Sequence, residues 1–162
     1  MSHVHLVNIR VDDRLLHGQV LYNWLRQLEP DCVMIVSADI TELQGNLLRL
    51  ALPERYELWL GDCGQAAAYF SAQDGNPVSA LLLVPDVWQV LGLVHAQVAL
   101  PMITLGSQGW RPDRKRLTPQ VSLAPDEVEV LESLAANGLR IVFQALPCDV
   151  ALPWARKSPG LA

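Results

Sequence analysis

The residues best suited to chemistry lie in one short segment, residues 8–24, which reads NIRVDDRLLHGQVLYNW. Its histidine, His17, follows two arginines and two aspartates: Arg10, Asp12, Asp13 and Arg14. Gly18 comes directly after the histidine, and the lack of a side chain there lets a second molecule approach closely. A lone histidine in a loop is more often an ordinary surface residue, but these charged neighbours favour a functional one. His17 is therefore the leading candidate for a reactive group.

His17 and its neighbours fit phosphoryl transfer. A neutral imidazole is a good nucleophile toward phosphorus, and the phosphoimidazole that it forms can pass the group on. Such a transfer requires mainly positioning and positive charge near the phosphoryl oxygens. Arg10 and Arg14 supply cations, and the guanidinium of Arg14 has donors that match a phosphate. Backbone N–H groups at the start of the next helix add partial positive charge. Asp12 or Asp13 can hold the other ring nitrogen or orient an arginine.

Other site signatures are missing from the sequence. It has no G-x-G-x-x-G after the first strand, no G-x-x-x-x-G-K-[ST], no G-x-S-x-G and no H-E-x-x-H. His3 and His5 would share one face of a strand, but they are better explained as ordinary N-terminal residues than as metal ligands. Cys32, Cys63 and Cys148 have no metal-like spacing and are expected to be reduced thiols. We therefore predict neither a cofactor nor a metal.

Composition limits the class of protein. The chain has 162 residues, of which 51% are hydrophobic and 18% charged, so we expect a single domain, residues 1–162, with one well-buried core. A net charge of −5 argues against a general nucleic-acid binder. Apolar runs such as residues 80–85 are as long as a strand and too short to span a membrane. With no secretion signal at the N-terminus, the sequence predicts a cytoplasmic protein.

Apolar runs alternate with helical patterns along the chain. Strands are predicted at residues 4–9, 32–36, 56–60, 78–84, 102–105, 120–123 and 139–144. Helices are predicted at residues 18–28, 62–71 and 86–94, after a cap at Asp39 or Thr41 as far as Pro53, and from Ala124 to the Asn137-Gly138 cap. This alternation predicts an α/β fold: an open, mostly parallel sheet with helices on both faces, in three layers. The site is expected at the carboxyl edge of the sheet, near a switch in strand order.

Three segments have no such periodicity. Residues 73–77 (QDGNP) form a turn signal, and the tail from Pro147 onward is expected to be irregular because it is rich in proline. Residues 106–119 (GSQGWRPDRKRLTP) contain four basic residues and no apolar period, which predicts a loop.

The segment 10–20, RVDDRLLHGQV, with Trp24 downstream, resembles a signature of one protein family. It is similar to the IIB subunits of the mannose/sorbose family of the bacterial sugar phosphotransferase system. In that family the first strand runs into an R-[IV]-D-x-R-[LI]-[IVL]-H-G-Q-V loop whose histidine is phosphorylated. A looser similarity extends from CVMIVSAD to the NGLRIVFQALPCD ending and covers almost the whole chain. The family has an open, mainly parallel α/β sheet.

The resemblance implies a phosphotransferase with a role for each residue of the motif. His17 becomes the phosphorylated histidine, through its Nδ1 atom, while Arg14 binds the phosphoryl group and Asp12 fixes the loop or the ring. The phosphoryl group would arrive from a IIA protein and leave to a hexose or hexosamine bound by the membrane components IIC and IID. The protein would then be peripherally associated with a membrane transporter. The sugar, the IIA donor and any homo-oligomer are left open.

The basic loop departs from the family pattern. A more regular Gly-Lys-Gln pattern is usual after Gly106, whereas this chain has WRPDRKR at residues 110–116. Arg114 and Lys115 are candidate contacts to the phosphate or to an acidic partner, as are Arg10 and Gly18. Four basic residues in a polar loop are also consistent with a plain solvated surface.

Two other functions remain open. One is a non-catalytic α/β regulatory or binding module that keeps the fold, and the other is a small-molecule enzyme that uses His17 as a general base. A carrier that meets two proteins needs an accessible histidine, so we expect His17 to be exposed on a shallow surface. Val11, Leu15 and Leu16 are the candidates for an apolar ring around it.

Overall fold

A seven-stranded sheet is the centre of the protein in the computed structural model, which describes residues 4–72 and 78–154. The strands are β1 (Val4–Asp12), β2 (Cys32–Val36), β3 (Glu57–Gly61), β4 (Val78–Val84), β5 (Ile103–Ser107), β6 (Lys115–Arg116), β7 (Ser122–Leu123), β8 (Ile141–Phe143) and β9 (Leu152–Pro153). A π-helical turn, Val20–Trp24, continues into α1 (Leu25–Leu28). The other helices are α2 (Glu42–Ala51), α3 (Cys63–Ala72), α4 (Val87–His95) and α5 (Pro125–Ala136).

The main sheet has the order β3-β2-β4-β1-β5-β8-β9. Its neighbours pair in parallel except for β9, which is antiparallel to β8. The remaining strands, β6 and β7, form a separate antiparallel pair. Strand β1 lies in the interior of the sheet, with Arg10 paired to Leu83 of β4 on one side and to Thr104 of β5 on the other.

Helices cover both faces of the sheet. Helices α3, α4 and α5 pack on one face through buried side chains that include Phe70, Val90 and Leu131. The π-helical turn, α1 and the end of α2 lie on the other face, where Trp24 and Leu25 are buried. Strands covered on both sides are nearly all apolar, as in the fully buried CVMIV of β2. The predicted three-layer α/β fold is confirmed.

Alternation along β1 places charge inside one of these layers. Ile9 and Val11 belong to the core on the face of α3, α4 and α5. The intervening side chains, Arg10 and Asp12, point to the opposite face because successive residues of a strand alternate in direction. Both are fully buried. Strand β1 thus carries a buried ion pair to the edge of the sheet.

Most predicted boundaries are shifted by one or two residues, and the larger differences from the sequence prediction concern β1, β6 and β9. Strand β1 continues to Asp12 instead of ending at residue 9, because its charged end still pairs with β4 and β5. The segment 106–119 is not wholly a loop, since it contains β6. The tail is not wholly irregular either, since β9 pairs with β8. The predicted turn at 73–77 lies outside the described residues.

Candidate active site around His17

The segment 13–19 leaves the sheet where the helical layers diverge. After β1 the chain turns to the face of α1 and α2, whereas after β4 it turns to the face of α3, α4 and α5. Adjacent parallel strands whose connections go to opposite faces leave a crevice at their carboxyl ends. His17 lies in the loop that follows β1, and the residues of this loop that line a cleft beside Pro85 and Asp86, after the end of β4, are Asp13, Arg14 and Leu15.

Asp12 is the centre of the site. Its Oδ2 atom lies 2.8 Å from Nε2 of His17, and its Oδ1 atom accepts a hydrogen bond from the backbone N–H of Arg14 at 3.0 Å. The backbone N–H of Leu15 donates to the carbonyl of Asp12 at 3.0 Å, with Leu15 in the left-handed region at φ 52°. The loop is therefore folded around a carboxylate with no solvent exposure.

His17 is covered more than the sequence suggested. Its side chain is 14% exposed, so the expectation of an openly exposed histidine is only partly met. The proposed apolar ring is wrong for two of its members. Val11 lies in the core on the far face of the sheet, and Leu16 packs in the core on the near face, because each finds an apolar layer there. Leu15 is partly buried against the same near core.

Arg14 places a cation at the surface of the site. Its side chain is 54% exposed, with Nε 3.9 Å from Oδ1 of Asp12 and Nη2 donating to the side-chain oxygen of Gln19 at 3.3 Å. The Gly18 residue between His17 and Gln19 is exposed. A charged fork that is held at two points and still faces solvent can receive an anion.

Arg10 is placed differently from Arg14. Its side chain has no solvent exposure, and its terminal nitrogens donate to the carbonyls of Gln144 at 2.8 Å and Ala145 at 2.7 Å. The guanidinium carbon lies 4.5 Å from the ring centre of Trp24, whose indole N–H also donates to Ala145. Burial lowers the pKa of Arg10 to about 10, and the negative charge of Asp12 opposes that shift. The structure thus encloses the arginine that the sequence suggested as a phosphate contact.

Asp13 connects the site to the basic loop. Its Oδ2 accepts from the backbone N–H of Gly109 at 2.7 Å and its Oδ1 accepts from the hydroxyl of Ser107 at 3.1 Å. Arg114 continues the connection, because it donates to the carbonyl of Gly109 at 2.8 Å. The loop after β5 is therefore attached to the loop that carries His17.

The two basic candidates of that loop have different surroundings. Arg114 is 7% exposed and donates to both carboxylate oxygens of Glu127, at 2.6 Å and 3.1 Å, which commits its guanidinium to the start of α5. Lys115 lies beside it on β6 and is exposed. The structure therefore gives Arg114 an internal partner, while the predicted contact to phosphate or partner stays a prediction for both residues.

Apolar surface does occur near the site, but on α2. Leu43, Leu47 and Leu50 are exposed along one side of that helix, at 69%, 57% and 84%. Leu47 also lines a cleft of about 470 Å³ whose other walls include Arg14 and Leu15. This surface was not singled out from the sequence. Their spacing of four and three residues places them on one face of the helix. The spacing alone does not show whether that face is buried against the sheet or exposed to solvent.

Four further contributors to the site were also missed as functional residues: Gln19, Gly106, Gln144 and Ala145. Three of them act through a backbone atom or through the absence of a side chain, which a residue-type pattern does not reveal. Gln19 carries the one usable signal, because it is polar and follows His17 by two residues.

Two further observations concern site types that the sequence argued against. Among residues 4–72 and 78–154, no group of three or more His, Cys, Asp or Glu side chains could hold a metal ion. His3 lies outside the described residues. No helix in the described part of the chain has the length and apolar character needed to span a bilayer.

Comparison with known proteins gives the same family from sequence and from structure. The family model described as PTS system sorbose subfamily IIB component matches residues 6–157. The sorbose-specific EIIB component of Klebsiella pneumoniae is 28% identical over 142 residues, covering 86% of this chain and 87% of the relative. The fructose-specific EIIB component of Bacillus subtilis is 25% identical over 150 residues, covering 91% and 92%.

A solved structure agrees with this relationship. The IIBSor domain of the sorbose permease from Klebsiella pneumoniae aligns with a TM-score of 0.89 and 26% identity, over 98% of each chain. The family model extends over nearly the whole sequence, including the complete loop that holds Asp12, Arg14 and His17. The chain therefore belongs to the sorbose subfamily of IIB components of the sugar phosphotransferase system.

Proposed function

We propose that this protein accepts a phosphoryl group on Nδ1 of His17 from a IIA protein and transfers it to a sugar during uptake. Members of its family act in sugar phosphotransfer, which supplies the class of reaction. The observation that carries the specific proposal is the 2.8 Å contact between Oδ2 of Asp12 and Nε2 of His17. A carboxylate that accepts from Nε2–H leaves the lone pair of a neutral imidazole on Nδ1.

In the first step, the lone pair of Nδ1 attacks the phosphorus of the phosphorylated donor. The new N–P bond forms as the bond between phosphorus and the donor breaks, and the donor leaves with that electron pair. The ring of His17 acquires positive charge while Nε2 keeps its proton. The buried carboxylate of Asp12 stabilises this charge without rearranging, since it already accepts from Nε2–H.

In the second step, a sugar hydroxyl oxygen attacks the same phosphorus. The O–P bond forms, the N–P bond breaks, and its electron pair returns to Nδ1. The hydroxyl proton passes to a base at the acceptor site. His17 is then neutral again, with Nε2–H still directed at Asp12, and is ready for another cycle.

Arg14 is proposed to bind the phosphoryl oxygens in both steps. Its guanidinium is the more exposed of the two arginine side chains that approach Asp12, at 54% against none for Arg10. Its charge compensates the phosphoryl group as the bond to phosphorus changes.

The partners follow from this reaction. A IIA protein supplies the phosphoryl group, and the membrane components IIC and IID present a hexose or hexosamine. A carrier between them works at the cytoplasmic side of the membrane, in peripheral association with the transporter. The mannose-specific EIIAB component of Escherichia coli K12, which is 22% identical and matched over 45% of its length, supports the pairing of a IIB unit with a IIA unit.

The test is phosphorylation of the purified protein by phosphoenolpyruvate, the general phosphotransferase proteins and a family IIA. Intact mass and phosphorus NMR should show one acid-labile phosphoryl group on the unmutated chain and none on His17→Ala. His95→Ala, which removes the exposed histidine that ends α4, is the matched control and should be phosphorylated normally. Phosphorylation that survives in His17→Ala, or that fails on the unmutated chain with several IIA proteins, contradicts the proposal and favours a non-catalytic module.

A further inference from the structure

Arg10 is a charged group in a place where charge is costly. It is the largest fully buried side chain of the described residues, and it lies between the sheet and the first helix. A buried guanidinium is tolerated only where other groups replace its hydration. Arg10 has polar, aromatic or charged groups on three sides, and these groups indicate the role of its charge.

On two of these sides, backbone carbonyls and an aromatic ring fix the plane of the guanidinium. The carbonyls of Gln144 and Ala145 accept from Nη1 and Nη2 at 2.8 Å and 2.7 Å, and the ring of Trp24 covers one face. Gly106 covers another side: a Cβ atom added there would overlap the guanidinium. The glycine is needed because the arginine occupies the space that any side chain would take.

The third partner is the carboxylate of the site. Among residues 4–72 and 78–154, Nε of Arg10 has no hydrogen-bond partner, yet it lies 3.7 Å from Oδ2 of Asp12. That oxygen is the same one that contacts His17 at 2.8 Å. The guanidinium is therefore anchored through its two terminal nitrogens, and its Nε atom lies nearest to Asp12.

We infer that Arg10 is a positioning residue for phosphoryl transfer, which holds the Asp12 carboxylate in place for His17 from inside the protein. The inference rests on the proposed function of His17 and deepens it. Arg10 balances the buried charge of Asp12 on the side away from solvent, and Arg14 is left to meet the phosphoryl group. The carbonyls of Gln144 and Ala145 become part of the same support, although they are more than 130 residues away in sequence.

The experiment compares Arg10→Met, Arg10→Lys and Gly106→Ala with the unmutated protein. Arg10→Met removes the charge, Arg10→Lys keeps a charge without the fork, and Gly106→Ala displaces the guanidinium while all charges remain. Leu93→Ala, a core substitution under the opposite face of the sheet, controls for lost stability. The readouts are the rate of phosphorylation by a phosphorylated IIA protein and the NMR signal of the His17 Nε2–H proton before phosphorylation.

We expect Arg10→Met and Gly106→Ala to lower the phosphorylation rate by about tenfold or more, as does the loss of a group that orients a metal-binding histidine through its hydrogen-bond partner. The Nε2–H signal should shift or exchange away in both variants and stay in place in Leu93→Ala. Arg10→Lys should recover part of the rate.

The two arms separate the inference from the proposed function. An unaltered Nε2–H signal and rate in folded Arg10→Met overturn the inference, and if that variant does not fold, the same result in Gly106→Ala and Arg10→Lys does so. A signal that depends on Arg10 in a protein that no IIA phosphorylates supports the positioning role and refutes the proposed carrier function.

Discussion

At the scale of single residues, Asp12 lies between Arg10, Arg14 and His17. It meets His17 and the backbone of Arg14 by hydrogen bonds of 2.8 Å and 3.0 Å, and both arginine side chains approach it within 4 Å. A negative charge in this position does two things at once. In the proposed reaction, it selects the ring nitrogen that reacts, and it stabilises the positive ring that the transfer creates.

Replacing Asp12 by Asn tests that double role. The amide keeps the size of the side chain but not the charge, so it stabilises the positive ring poorly, and we expect phosphorylation to slow by roughly 100-fold. Stopped-flow or quench measurements with a phosphorylated IIA protein give the rate. Asp31→Asn is the matched control, because Asp31 also accepts from a backbone N–H and a hydroxyl, both of Ser79, away from the site. Equal rates in all three proteins would contradict the role of Asp12.

The residue pattern predicted some of this site and missed the rest for a physical reason. Asp12, Arg14 and His17 were proposed together, and the structure brings them together. The sequence could not separate Arg10 from Arg14, because side-chain type does not reveal which arginine lies under a helix. It also could not show that Arg114 pairs with Glu127, since the two are 13 residues apart and belong to different elements.

At the scale of elements, the basic loop is held by the N-terminus of α5. Glu127 accepts from Arg114 through both oxygens and from the backbone N–H of Ala124 at 2.8 Å. Arg114 also donates to the carbonyl of Gly109, and the backbone N–H of the same glycine donates to Asp13. A helix start thus positions a loop that borders the site.

Glu127→Gln should loosen this arrangement. Loss of a hydrogen bond to a charged group costs about 1.5–3 kcal/mol, and we expect the free energy of unfolding to fall by about that amount. Urea unfolding followed by tryptophan fluorescence measures it. Glu129→Gln on the exposed side of α5 is the control and should change stability by less than about 0.5 kcal/mol. A Glu127 variant as stable as this control would show that the ion pair has no role in holding the loop.

The ends of helices were predicted best where a single local residue determines them. Of the two alternatives predicted for the cap of α2, Asp39 or Thr41, the structure has Thr41, which accepts from the backbone N–H of Gln44. The predicted Asn137-Gly138 end of α5 is confirmed, with Gly138 at φ 94°. Short strands such as β9 escaped prediction because two residues carry no periodicity, and they pair only once the neighbouring strand is in place.

At the scale of the whole molecule, the three cysteines differ in their burial. Cys32 is buried in β2, Cys63 is partly buried at the start of α3, and Cys148 is exposed. Burial raises the pKa of the Cys32 thiol to about 11 and also raises the pKa of the Cys63 thiol. The thiolate is the reactive form of cysteine. Burial therefore lowers the reactivity of a thiol twice, because it restricts access to the sulfur and keeps the sulfur protonated.

Alkylation should therefore proceed in the order Cys148, Cys63, Cys32. With iodoacetamide at pH 8, peptide mass spectrometry should find Cys148 modified first and Cys32 modified only when the sheet opens. Raising the pH from 9 toward 11 should reduce stability, because the unfolded thiol of Cys32 ionises there while the folded one keeps its proton. Denatured protein, in which all three react at similar rates, is the control. Early modification of Cys32 in folded protein would contradict the burial of β2.

The fold class was predictable because strand and helix periods alternate along the chain, whereas the order of strands was not. Nothing in the apolar run of β1 indicates that β4 and β5 will be its neighbours. That order is decided by which layers of side chains fit together, and it is what brings the end of β1 next to Ser107 and Gly109.

Because of the π-helical turn at Val20–Trp24, we expect this segment to tolerate the deletion of one residue. Such a turn contains one residue more than the α-helical turn that it replaces. Removal of one exposed residue, such as Tyr22 at 71% exposure, would leave an ordinary turn in which Val20 and Trp24 still face the sheet. The same deletion inside α2 would rotate every later side chain by about 100°. The helix beside His17 can thus lose a residue and keep the indole of Trp24 over Arg10.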